Sequence, residues 1–522
     1  MKSGKQKSTI NAQEMFANIE NPQMQRSTFD RSSGLKTTLD AGKLYPVFYD
    51  QALPGDTFNL KATMFGRLAT PIKPIMDNIK FDLHFFSVPY RLVWDNWQKF
   101  MGEQVDPGDS IDYLIPTTKA PAGTGHAELS IGDYFGLPTK IAELEHDVLP
   151  LRAYNLIYNE WYRDQNLNDS VTVNRGDGPD DIADYAILDR NKRKDYFTSA
   201  LPFAQKGDAV SLPLGTRANV QHDSPDNQNL HVFSSVNDEW RRVAANLTNI
   251  TAASTADADT TDKQLYIDLT QATASTINEI RLAFQQQRFL ERDARGGTRY
   301  VELIKSHFGV TSPDYRLQRP EYLGGGSVDV NIMPVAKTAE EGTDPQGNLS
   351  GVGTFSVNNN GFTKSFTEHE MIIGIVSVRA DITYQQGLNR MWSRETRFDF
   401  YWPTFAHLGE QSVLNKEIYA QNDANDDLTF GYQERYAEYR YKPSQITGLY
   451  RSNASASLDV WHLAQDFSSL PALNAGFIKE DPPIDRVIAV PSEPQFLLDA
   501  LFDLKCVRPM PTYSTPGLID HF

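Results

Sequence analysis

The sequence predicts a mainly β protein: a single eight-stranded antiparallel sandwich of jelly-roll type, with very long loop insertions that contain short helices. Three observations carry this reading. Apolar residues alternate along several short segments, prolines punctuate the gaps between them, and the regular strand–helix alternation of a doubly wound sheet is missing. No internal repeat is apparent, which argues against propellers and solenoids.

The first strand signals lie after Lys43. Thr57–Met64 and Ile79–Phe85 each place apolar residues at every second position, so one face meets a core and the other stays wet. Pro71 and Pro74 break the chain between them. Val93, Trp97, Phe100 and Met101 have helical spacing, which predicts a short amphipathic helix after Pro89. Leu151 to Asn166 is the next expected helix, with Pro150 at its start. Another is expected over Thr276–Asp293, opened by the Thr276-x-x-Glu279 box and ended near Gly296-Gly297, and a third over Tyr300–His307. Later strand signals are Met371–Thr383, Thr396–Trp402, Ser457–Leu463, Asp485–Val490 and Phe502–Cys506. Gly324-Gly325-Gly326 reads as a flexible turn.

This pattern divides the chain into an N-terminal arm (1–43), a first part of the sandwich (44–167), an insertion (168–275) and the remainder (276–522). The arm is polar and holds seven basic residues against four acidic. It is either a disordered terminus or an arm that pairs with a polyanion or a neighbouring subunit. The insertion contains NLTNITAASTADADTTD, a composition that cannot build a core and belongs on an exposed loop or tip. Insertions of that length usually carry a binding role.

With 522 residues, 40% of them hydrophobic and 22% charged, the chain can bury a sizeable core. Its 50 Lys and Arg against 67 Asp and Glu leave a net charge of −17, which repels phosphate backbones and disfavours a dedicated nucleic-acid-wrapping protein. One cysteine, Cys506, rules out an intrachain disulfide and a multi-cysteine zinc site. It alternates with Phe502 and Leu504 and reads as a buried small hydrophobe. The longest nearly unbroken apolar run, Met371–Val378, is far short of the ~20 residues that span a bilayer, and the N-terminus has no apolar core of a secretory signal. The expectation is a soluble chain made in a cytoplasm, without membrane insertion.

No catalytic, cofactor or metal motif emerges: there is no Walker sequence, no G-x-S-x-G elbow and no H-E-x-x-H helix. Glu368-His369-Glu370 is the tightest histidine cluster and reads as a strand edge. Asp423, Asp426 and Asp427 have the oxygens that suit calcium, though a solvated loop explains them as well. Carboxylates abound, so a carbohydrate-binding or glycoside-hydrolase jelly roll using an acidic cleft is the alternative reading. One stretch mixes aromatics and cations, YQERYAEYRYK at 432–442, with Arg435, Tyr436, Arg440 and Lys442 as candidates to stack on unpaired bases and meet phosphates. The competing reading is a strand with Ala437, Tyr439 and Tyr441 inward.

Longer phrases carry a resemblance. LPLRAYNLIYNEWYRDQNL at 149–167, FQQQRFLERDARGGTRYVELIKSHFGVTSPDYRLQRPEYLGG at 284–325 and YQQGLNRMWSRETRFDFYWPTFAHLGEQ at 384–411 resemble the major capsid proteins of gokushovirus-type Microviridae, small icosahedral single-stranded DNA phages. The likeness runs from about residue 20 to the C-terminus and is strongest outside 168–275. It implies a viral jelly roll that assembles through pentamers into a T=1 shell around circular single-stranded DNA, inside a bacterial host's cytoplasm. The implied partners are further copies of the chain, an internal scaffolding protein, a small basic DNA-binding protein, a DNA pilot protein and a host surface receptor. The insertion would form a threefold protrusion, with Asn246, Thr248, Asn249, Thr251, Asp257 and Asp259 as attachment candidates. Lys2, Lys5, Lys7 and Arg26 are the first DNA-contact candidates on the arm.

Overall fold

In the computed structural model the described residues are 25–208, 210, 277–340, 342 and 345–513, with the backbone of five short strands between 220 and 267. Contacts divide the chain into two units, Met1–Pro202 with Thr298–Phe522, and Phe203–Gly297.

The larger unit is mainly β. Besides a short pair, Thr117–Lys119 with Glu145–Asp147, its strands are β1 (Ser27–Asp30), β2 (Ser33–Leu39), β3 (Tyr45–Ala52), β4 (Thr57–Leu68), β5 (Ile79–Pro89), β6 (Glu321–Asp329), β7 (Asn331–Ala336), β8 (Leu349–Ser365), β9 (Glu370–Ala380), β10 (Glu410–Leu414), β11 (Thr429–Glu434) and β12 (Phe496–Arg508). One antiparallel sheet has the order β1-β12-β4-β8-β7, with β2 also paired to β12. The other has the order β6-β5-β9-β3. Antiparallel sheets joined by helix-bearing loops are consistent with the expected jelly roll.

Alternation explains the first sheet. In β4, Phe58, Leu60, Ala62, Met64 and Leu68 are buried, as is Gly66, while Asn59, Lys61, Thr63, Phe65 and Arg67 are exposed. In β12, Phe496, Leu498, Ala500, Phe502, Leu504 and Cys506 point the same way, so the lone cysteine is a core side chain. The inner strands β5 and β9 of the second sheet are buried on both faces, which is why β9 reads as a continuous apolar run. Ile372, Val376 and Val378 join the core between the sheets, while Met371, Ile373 and Ile375 join a second core formed with α1 (Leu149–Ile157). Within α1, Arg152 is fully buried and makes a two-pronged ion pair with Asp180 (2.8 and 2.6 Å). Burial alone would raise the Asp180 carboxyl, but hydrogen bonds from Arg152, Tyr185 and Asn174 outweigh it and hold the pKa below the ordinary value.

Several expectations are corrected. The second half of the expected arm, Ser27–Leu39, is two strands that edge the first sheet on β12. The helix expected over Leu151–Asn166 leaves α-geometry at Tyr158, where Asn159 turns its amide to both backbone groups of Val171. That expected near Val93–Met101 shrinks to Trp97–Phe100 after a 3-10 turn at Tyr90–Leu92. Thr396–Trp402, Ser457–Leu463 and Asp485–Val490 are not strands; the first two each contain a 3-10 turn and the third begins within one, Ile484–Arg486. Gly324-Gly325-Gly326 is no turn but the middle of β6. A Cβ on Gly325 would lie 2.0 Å from the Leu83 carbonyl oxygen and one on Gly324 2.6 Å from that of Gly361. These glycines therefore admit close backbone approach.

α3 (Tyr300–Phe308) lies one residue from its expected end and stops at Gly309 in the left-handed conformation. Ahead of it, Arg299 donates to the carbonyls of Asn159 and Arg163.

The smaller unit contains the helix α2 (Ile277–Gly296), a three-stranded sheet of His231–Ser234, Glu239–Ala245 and Ile250–Ala256, and a pair of short strands, Val220–His222 with Leu265–Ile267. Residues 168–202, expected in the insertion, fall in the larger unit.

Candidate assembly surface

The concentration of unusual chemistry lies in two loops of the larger unit, 384–409 and 435–451. Their base is a small core around the β10–β11 hairpin, where Tyr196, Phe197, Val413, Ile418, Phe430 and Phe477 are buried. Glu417 anchors it: its carboxylate accepts from Tyr196 Oη (2.9 Å), Arg390 Nη1 (3.0 Å) and the Leu414 amide (2.9 Å). Burial raises its pKa nonetheless.

On this base the chain builds an exposed shelf of aromatic rings and guanidinium groups. The Thr396 backbone and side-chain groups donate to Asp399 (2.7 and 2.9 Å), which holds that carboxylate below its ordinary pKa and closes a tight turn. Trp402 Nε1 donates to the Arg397 carbonyl (2.8 Å), folding the segment back before Pro403. Phe398, Phe400, Tyr401 and Trp402 are each about half exposed, and Trp392 is 75% exposed. The Arg394 guanidinium lies 4.9 Å from the Phe400 ring centre and 4.7 Å from that of Tyr439, and Arg397 lies 4.8 Å from that of Phe398. Such stacking fixes both partners without withdrawing the rings from solvent.

A concavity of about 360 Å³ lies beside the shelf, and Trp392, Tyr441, Glu417 and Glu438 line it. Its two carboxylates are committed, Glu417 as described and Glu438 to Gln411 Nε2 (2.7 Å) and Arg394 (4.0 Å). A hydrolytic pair needs carboxyl groups free to exchange protons with substrate and water, which these are not. The carboxylates of the exposed Asp423–Asp427 cluster are also engaged locally: Asp426 accepts from the amides of Gln421 and Asn422, Asp423 from that of Asn425, and Asp427 pairs with Lys416. Among the described residues no group of three or more His, Cys, Asp or Glu is placed to hold a metal.

The structure separates the candidate DNA residues. Lys2, Lys5 and Lys7 lie outside the described residues. Arg26 donates to the Gly55 carbonyl. Tyr436 is only 4% exposed, with its ring against Tyr401 and under Arg435, so it offers no face to a base in the free chain. Arg440 pairs with Glu434, and Lys442 is exposed. The segment is neither of the expected forms: β11 ends at Glu434, and Tyr436 takes a left-handed backbone before a 3-10 turn. Of the attachment candidates, Asn246, Thr248, Asn249, Asp257 and Asp259 lie outside the described residues, and Thr251 sits in the strand Ile250–Ala256.

Sequence reasoning missed the shelf because its alternating aromatics mimic a strand. The Thr396-x-x-Asp399 box and Pro403 were the signals that a turn competes there.

Comparisons with known proteins identify the setting of this surface. The family model described as "Capsid protein (F protein)" matches residues 17–518. The chain is 50% identical to the capsid protein VP1 of Bdellovibrio phage phiMH2K, with 98% of each chain covered. It is 45% identical to VP1 of Chlamydia phage 1 (96% and 97% covered) and 36% identical to VP1 of Spiroplasma virus 4 (92% and 93% covered). With a family match across nearly its whole length, the chain belongs to the Microviridae capsid proteins of gokushovirus type, structural proteins of the virion rather than enzymes.

Proposed function

We propose that this chain is a jelly-roll coat subunit that assembles with copies of itself, through pentamers, into a T=1 icosahedral shell enclosing circular single-stranded DNA. The observation that carries the reading is the strand order. Taking β2, β3, β4, β5, β6, β8, β9 and β12 as eight successive strands, the first pairs with the eighth, the second with the seventh, the third with the sixth and the fourth with the fifth. That nesting is the plan of a hairpin rolled into a jelly roll, as viral capsid domains use. It leaves loops at both ends of the sandwich free to meet neighbours.

The −17 charge means that the coat cannot neutralise a genome alone, which supports a separate small basic DNA-binding protein. Contacts of the coat with DNA then fall to the lysines of the arm and to the exposed Lys442, with Arg26, Arg435 and Arg440 available only if their present partners release them. An internal scaffolding protein and a DNA pilot protein complete the expected set. The part of the insertion beyond Pro202, residues 203–275, would carry host attachment from the threefold axes. Electron microscopy of the chain co-expressed with its scaffold tests the whole reading. Closed icosahedral particles are expected, and a chain that stays monomeric with the scaffold present would sink it.

A further inference from the structure

The larger unit exposes a second unusual loop, unlike the shelf in charge. From Gly102 to Ile115 it carries Glu103, Asp106, Asp109 and Asp112 and no Lys or Arg. It also exposes aliphatic side chains, with Val105 at 77% and Leu114 at 85%. Asp109 folds the loop, accepting from the amides of Val105 (3.3 Å) and Asp106 (3.2 Å), while Gln104 donates to its carbonyl (2.7 Å). The Asp106 and Asp112 carboxylates have no cation partner among the described residues. Solvated acids beside bare aliphatic groups make a surface that gains by meeting cations and rings together.

We propose that this acidic, aliphatic loop of one copy docks onto the arginine–aromatic shelf of the next copy. The inference rests on the coat reading and names the surfaces that would carry it. Placement favours a second copy as occupant. The loop hangs from the end of the second sheet where β5 finishes and β9 begins: Arg91 pairs with Glu368 (2.6 Å), and the Trp97 ring is 5.6 Å from His369. The shelf follows the other end of β9, beyond Ala380. The eleven residues of β9 separate those ends by about 35 Å. In a row of copies the loop of one therefore meets the shelf of the next, a head-to-tail contact that closes into a ring when the rotation permits.

Charge favours the same occupant over nucleic acid. The shelf and its flank hold Arg390, Arg394, Arg397, Arg435, Arg440 and Lys442, but the first, second and fifth of these are paired with Glu417, Glu438 and Glu434. Glu395 and Asp399 reduce the surplus further. That is too little free charge to hold a run of phosphates, yet Arg397, with no carboxylate partner among the described residues, suits Asp106 or Asp112. Trp392 and Trp402 supply the large, pre-set apolar contact that typically dominates an interface.

The test is sedimentation velocity of the full chain across a concentration series. Asp106→Lys with Asp112→Lys, and separately Arg397→Glu, should each weaken association about tenfold or more, and all three substitutions in one chain should recover most of that loss. Unchanged melting temperatures will show that the exposed substitutions leave the fold intact. Variants that associate like the wild type overturn the contact and leave the coat reading standing, as do two losses without recovery in the combined chain. Where the chain alone stays monomeric, the same series is run with the internal scaffolding protein present, and a wild type that never associates there overturns both. If Arg397→Glu keeps association but loses retention of an oligothymidylate, the shelf faces nucleic acid and the contact is wrong.

Discussion

Strand β12 and the Thr396–Trp402 turn share one sequence pattern and have opposite fates. Both place an apolar side chain at every second residue: Phe496 to Cys506 in one, Phe398, Phe400 and Trp402 in the other. In β12 those side chains are buried, and the strand pairs with β4 on one side and β2 on the other. In the turn they stay about half exposed, because Asp399 claims the amides of Glu395 and Thr396 that a strand partner would need. Alternation thus reports that one side will be covered, not by what. Hydrogen-bonding neighbours decide whether the cover is the protein's own core or something outside it.

The largest effect that sharpens this contrast is on the buried member. Phe502→Ala should destabilise the chain by about 3–5 kcal/mol, since its ring packs against Phe48 (5.0 Å between centres) between the two sheets and leaves a cavity. Denaturant unfolding of the unassembled chain measures it, and a cost under 1 kcal/mol would mean that the core repacks freely.

A second test uses buried charge. Glu480 accepts from the Ala380 amide at the end of β9 (2.9 Å), and its other oxygen is buried without a partner. Burial pushes its carboxyl up to about 7, against the opposing pull of Lys192, Arg190 and Arg379. Glu370, at the start of β9 and hydrogen-bonded by Ser87, is likewise raised by burial to about 7. A folded pKa above the unfolded value means that the folded chain holds more protons. Their contribution is therefore fully present below about pH 4.5 and is lost as pH rises through about 7, on the order of 3 kcal/mol per group before relaxation. Glu480→Gln should flatten that slope in urea midpoints taken from pH 5 to 8. His126 works in the other direction. Its Nε2 faces His146 Nε2 (3.1 Å), and burial, then the neighbouring imidazole, lowers its pKa, so its contribution is lost as pH falls below about 6.5.

A third test concerns what the sequence hid. Strands β4, β5, β9 and the end of β12 were legible because their apolar patterns match their burial, and α2 and α3 because caps and glycines mark their ends. Strands β6 to β8 were not: three glycines read as a turn in β6, and β8 runs through Asn358-Asn359-Asn360, a turn-like string, at an irregularity in its pairing with β4. The strand character of β6 and β8 comes from β5 and β4, neighbours distant in sequence that no local pattern encodes, and β7 then pairs with β8. Gly325→Ala should therefore cost about 1–3 kcal/mol, because its Cβ would collide with the Leu83 carbonyl rather than with a side chain that can move. An Ala variant as stable as the wild type would show that β6 is free to shift.

The smallest expected effect is the one that separates the two patterns most cleanly. Phe400→Ala removes as large a ring as Phe502→Ala does, from the same alternating arrangement. The Phe400 side chain is half in solvent already, and its main neighbour is the Arg394 guanidinium, which also has the Tyr439 ring and the Glu438 carboxylate. Truncation opens no closed cavity and strands no buried group, so the unassembled chain should lose no more than about 0.5 kcal/mol. The loss belongs to association, where a half-exposed aromatic becomes covered only when another copy arrives. Measured side by side, unfolding and self-association should then rank the two phenylalanines in opposite order. If Phe400→Ala instead unfolds the chain as readily as Phe502→Ala, the shelf is core, and the contrast between the two patterns disappears.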